Sequence, residues 1–115
     1  AALLKDATGS PSDIHHRIPL EYPHLFPFRD INAGTNLAAA AKPVHERIGN
    51  VWLRFRKAPG VPSADEVVQV EEIVKKHFER WFNRVYESNP KSAQELAAAE
   101  RAALDEVAAL LARVR

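Results

Sequence analysis

The segment SADEVVQVEEIVKKHFERWFNRVYESNP, residues 63–90, decides the fold. Ser63 and Glu66 stand three apart at its head, the spacing at which a serine hydroxyl and a glutamate satisfy each other's free backbone amides at a helix start. Val67, Val70, Val74, Phe78, Trp81 and Val85 then recur at helical spacing, and Ile73, His77, Phe82 and Tyr86 widen the stripe. Asp65, Glu66, Glu71 and Glu72 precede Lys75, Lys76, Arg80 and Arg84, the order that the helix dipole favours. The i, i+4 pairs Glu71–Lys75 and Glu72–Lys76 each add about 0.3 kcal/mol, and Lys76–Arg80 opposes them. Ser88-Asn89-Pro90 reads as a stop, so the spacing predicts a helix over about 64–88.

Downstream, Ser92 and Glu95 repeat the capping spacing. Leu96, Ala103, Val107, Leu110 and Val114 form a stripe with Leu104 and Leu111 on its shoulder, predicting a helix over about 93–114. The alanines around this stripe let a neighbour approach closely but bury little area each. Upstream, Ala58-Pro59-Gly60-Val61-Pro62 makes a stiff turn. Before it, Leu37, Ala41, Val44, Ile48, Val51, Trp52 and Phe55 keep helical spacing, with Thr35 or Asn36 as N-cap. That stripe runs through Pro43. It predicts either one helix over about 36–57 kinked at Pro43, or a short leading turn with Pro43 opening the main helix.

Residues 1–34 differ in kind. Pro19, Pro23 and Pro27 recur every four residues through Ile18, Leu20, Tyr22, Leu25, Phe26 and Phe28. Each proline lacks an amide hydrogen and biases its predecessor away from the helical region, so an extended path is expected. Disordered linkers are polar, whereas this arm is apolar and should lie in a groove, on its own helices or on another chain. The fold class expected is all-α. A kinked first helix leads into an antiparallel helical hairpin, and residues 1–34 precede the 35–115 three-helix module as an extended arm.

Composition excludes several chemistries. The 115 residues contain no Cys, which removes disulfides, thiolate metal sites and cysteine nucleophiles. The five histidines show no ligand spacing such as His-x-x-x-His, and adjacent His15 and His16 do not converge easily on one ion. The serines sit in no nucleophile-elbow motif, and the scattered glycines form no phosphate loop. No catalytic residue, cofactor or metal is expected, and the pattern matches no zinc, nucleotide, hydrolase or helix-turn-helix signature. His77 reads as a hydrogen-bonded edge residue. Glu100, between Leu96 and Leu104, reads as an edge carboxylate paired with Lys or Arg; the rival reading is an ion pair across to Arg47, Arg54 or a partner.

The net charge is +1. It conceals a net of +4 over residues 35–60, where Lys42, Arg47, Arg54, Arg56 and Lys57 face Glu46, and −2 over residues 61–90. Trp52-Leu53-Arg54-Phe55-Arg56-Lys57 interleaves aromatic and basic residues as single-strand nucleic-acid binders do. Yet Trp52 and Phe55 also continue the apolar stripe, so nucleic acid is the lesser reading. No apolar run reaches the length of a membrane span.

The expected role is a non-catalytic structural or accessory subunit of a larger assembly. It would clamp other protein subunits through the arm (Ile18, Leu20, Tyr22, Leu25, Phe26, Phe28) and an aromatic helix face (Trp52, Phe78, Trp81, Phe82, Tyr86). The alternatives are a small subunit required by an enzyme whose active site lies on another chain, and a nucleic-acid-binding module. The Met-less start, Ala1-Ala2-Leu3, reads as a processed N-terminus and leans toward an organellar complex, such as a mitochondrial one.

Overall fold

The computed structural model describes residues 12–16, 22–25 and 37–115. Three helices form the body: α1 (Lys42–Lys57), α2 (Ala64–Phe78) and α3 (Pro90–Val114). Two short strands, β1 (Ser12–His16) and β2 (Leu37–Ala41), precede α1 as an antiparallel ribbon in the register Ser12↔Ala41 to His16↔Leu37. The described chain is thus an all-α three-helix module with a two-stranded ribbon laid on its first helix.

α2 begins as the sequence dictates. Ser63 Oγ accepts from the Glu66 amide at 3.2 Å and Glu66 Oε1 accepts from the Ser63 amide at 3.0 Å. Its end is earlier than expected. The helix stops at Phe78, a 3₁₀ turn follows over Glu79–Trp81, and Phe82 turns extended. Asn83 then takes φ 58°, the left-handed region that Asn tolerates better than most residues. The apolar spacing through Val85 and Tyr86 does not prolong the helix, and Val85 is 55% exposed.

α3 starts earlier than expected, at Pro90. Asn89 is its N-cap, with Oδ1 accepting from the Ser92 amide at 2.8 Å. The Asn89 side chain therefore supplies the cap in place of the expected Ser92–Glu95 box. Pro90, read as the stop of the preceding helix, opens the next one, because its missing amide hydrogen costs nothing in the first turn.

The first helix begins at Lys42 rather than near residue 36. Pro43 lies in its first turn, where it is tolerated; inside a longer helix it would cost about 3 kcal/mol. Residues 37–41, expected as helix or leading turn, are strand β2 because they pair with β1. The arm is extended at β1, as its sequence suggests. At Pro23–Leu25 it instead closes one 3₁₀ turn, with the Leu25 amide donating to the Tyr22 carbonyl at 3.1 Å. A proline at the head of such a turn loses no hydrogen bond.

Contacts between helix ends set their directions. Arg115, just past α3, donates to Glu66 in the first turn of α2 and to the Pro59 carbonyl just past α1. Arg80, just past α2, meets Glu95 in the first part of α3. So α2 runs antiparallel to α3, and α1 runs parallel to α3. The core lies between the three helices. Val44, Ile48, Val51, Trp52 and Phe55 come from α1, and Val67, Val70, Val74 and Phe78 from α2. Leu96, Ala103, Val107, Leu110 and Leu111 come from α3. Ala40, Ala41 and Tyr22 close it from the ribbon and the arm. Each large side chain so buried contributes roughly 1.5–3 kcal/mol.

Candidate functional site

The residues expected to meet a partner divide into three groups. Tyr22, Trp52, Phe78 and Phe82 are buried in this chain's own core. Leu25, Trp81 and Tyr86 are half-buried against it. Ile18, Leu20, Phe26 and Phe28 lie outside the described residues. The aromatic helix face expected to meet a partner is covered largely from within, which leaves its half-buried rim and the rest of the arm as the expected contact surface. α1 supplies part of the cover, and the arm supplies Tyr22. The Tyr22 ring lies 5.9 Å from that of Trp52 and 6.4 Å from that of Phe55, and Trp52 and Phe55 meet edge to face at 6.1 Å. Such pairs add about 1 kcal/mol each beyond the area they bury. The arm therefore returns to its own helices at Tyr22 and at β1.

Trp52 is 3% exposed, and its Nε1 has no hydrogen-bond partner among the described residues. With Phe55 equally buried, neither ring is free to stack on a base. The basic residues around them, Arg54, Arg56 and Lys57, are exposed in the last turn of α1, where they complement the negative end of its dipole. The interleaved motif thus resolves into a core stripe and a solvated face.

Among the described residues, Glu100 and Glu106 of α3 each gather polar contacts from another helix. Arg47 Nη1 donates to Glu100 Oε2 and Asn50 Nδ2 to Glu100 Oε1, each at 2.6 Å. This is the ion pair across helices, not the plain edge position that the sequence favoured. A lone carboxylate between two leucines would be costly, and two donors from α1 remove that cost. His77 of α2 contacts Glu106 through Nε2, and Lys76 Nζ reaches the same carboxylate at 3.2 Å. Lys76 thus turns to α3. The hydrogen bond from His77, chiefly, holds the Glu106 carboxyl below its ordinary range; burial opposes this and Lys76 assists. At the other end, burial pushes Glu66 upward, but hydrogen bonds from Ser63 and Arg115 outweigh it and leave the carboxyl below its ordinary range. The Arg115 guanidinium also lies 5.4 Å from the Phe55 ring centre.

An open groove of about 230 Å³ separates α2 from α3, lined by Gln69, Glu72, Ile73, Glu106, Ala109 and Arg113. Its lining mixes both charges with two small apolar patches. Among the described residues no three metal-ligating side chains gather, and no helix is long and apolar enough to cross a membrane. The groove was not legible in the sequence, since its lining comes from two helices whose mutual packing no motif encodes. Comparison with known proteins finds no matching family model, curated protein or solved structure.

Proposed function

We propose that this chain is a non-catalytic accessory subunit that binds another protein through its N-terminal arm. The observation behind this reading is the way the core closes. Tyr22 seals the aromatic cluster on α1, and the ribbon adds Ala40 and Ala41, so the helical body is filled with few arm residues. The arm sequence carries four further large apolar side chains, Ile18, Leu20, Phe26 and Phe28. Closely spaced prolines limit the entropy that a segment loses when its apolar side chains enter the groove of a partner. In the sequence, Ile18 and Leu20 fall between the anchors β1 and Tyr22, and Phe26 and Phe28 fall between Leu25 and β2.

The test is purification from the native source with mass measurement of the intact species, beside a chain carrying Leu20→Asp and Phe28→Asp. The expected result is a stoichiometric second chain with the natural sequence, lost in the variant while the helical melting curve is unchanged. A monomer in both preparations overturns the proposal.

A further inference from the structure

We propose that residues 37–41 form a strand–helix switch, held in the strand state by β1. The segment Leu37-Ala38-Ala39-Ala40-Ala41 is a strand, yet alanine is the best helix former and is depleted in strands. Apart from Pro43, nothing local favours the observed start of α1. Its N-cap is Ala41, which offers no side-chain hydrogen bond and ranks among the poorest cap residues. Better caps, Thr35 and Asn36, stand just upstream. The same residues also satisfy the helical pattern, since Leu37 and Ala41 continue the stripe of Val44, Ile48 and Val51 that α1 buries.

Two features hold the strand. One is the ladder to Ser12–His16. The other is Pro43, which sits without penalty in the first turn of α1 but would break a helix running through it. A two-stranded ribbon is marginal without a packing surface, and this one depends on α1 for it. Loss of β1 removes the ladder and leaves only Pro43 opposing the helix.

The use of the switch rests on the interaction role proposed above. An extended strand of the partner protein that pairs with β1 competes with β2 for the same backbone groups. Release of β2 then lengthens α1 by more than a turn and moves the point at which the arm joins the body.

The switch is read on the isolated full chain, so its outcome does not depend on whether a partner is found. In the natural sequence the Cα chemical shifts of Ala38–Ala41 are expected on the strand side of random coil. Successive amides of a strand point to opposite sides, so in Asp13→Pro/Ile14→Pro one proline removes a donor facing β2. Combined with Pro43→Ala, which lifts the remaining opposition, this change should take the shifts of Ala38–Ala41 to helical values while those of α2 and α3 hold. Random-coil values, or unchanged strand values, overturn the switch. A second variant leaves β1 untouched: Pro43→Ala should move the equilibrium toward helix by on the order of 100-fold, the effect of a proline inside a helix. Unaltered Ala38–Ala41 shifts in that variant also overturn it, even if the double-proline chain fails to fold.

Discussion

α1 and α2 begin in opposite ways. α2 is started by its own residues: Ser63 and Glu66 exchange hydrogen bonds, and Asp65 adds charge where the dipole wants it. α1 starts at an alanine with no capping bond and no acidic residue in its first turn. Its start is fixed by Pro43 in its own first turn and, from outside, by a strand paired to β1. The first arrangement is set by four consecutive residues, whereas the second needs a segment far upstream. The difference separates a helix end set by adjacent residues from one that also depends on a strand far away in the sequence.

The severest way to break this comparison is through the shared core. Phe78→Ala removes a fully buried ring at the end of α2 and should cost about 3–5 kcal/mol by urea unfolding. Amide signals of α1 and α3 should disappear together. If those of α1 persist alone, the two helix starts belong to separate units and the contrast loses its common scale.

Glu66→Gln comes next. It weakens both the capping box and the bond from Arg115, and should cost roughly 1–3 kcal/mol at neutral pH. Glu66 titrates below its ordinary range in the folded chain. Its contribution is therefore present above the ordinary carboxylate range and is lost as the pH falls through the lowered value. The natural chain should lose stability on acidification more steeply than the glutamine variant; parallel acid limbs would count against the bond. Ser63→Ala should cost about 1 kcal/mol, while Ala41→Gly at the other helix start, which has no capping bond to lose, should cost less. Equal losses would erase the contrast.

The smallest effect is a gain. Gly49 lies mid-helix in α1, exposed, with nothing within 4 Å of an added Cβ. Gly49→Ala should stabilise by about 0.5–1 kcal/mol, seen as a raised unfolding midpoint. No gain would mean that α1 is limited at its start and not along its length.

How much was legible follows from the same contrast. The α2 start, the three helices and the α1 stripe were readable because their signals lie within a few residues of one another. The early end of α2 was hidden because Phe82, Val85 and Tyr86 keep helical spacing beyond Phe78, although the backbone turns extended at Phe82 and left-handed at Asn83. The start of α3 was misplaced by three residues because Asn89 and Ser92 are both good caps and Pro90 serves as stop or start. Strand β2 was illegible because its reason lies in β1. At the candidate site, the spacing placed Glu100 between two leucines but left Arg47, Arg54 or a partner undecided and did not point to Asn50, since the rotation of α1 against α3 is a tertiary fact. The apolar arm could be recognised from its prolines, but the return of Tyr22 to Trp52 could not.

The two tryptophans sit on opposite sides of that contrast. Trp52 is sealed in α1 beneath Tyr22, with its indole nitrogen unbonded among the described residues, while Trp81 is half-buried at the end of α2 with the Arg80 guanidinium 4.1 Å from its ring centre. Their fluorescence should differ accordingly. Trp52 should emit at shorter wavelength and resist aqueous quenchers, and Trp81 should emit further to the red and be reached by them. The chain thus carries an optical gauge for each half: lifting the arm should unmask the blue component, and fraying the end of α2 should alter only the red one.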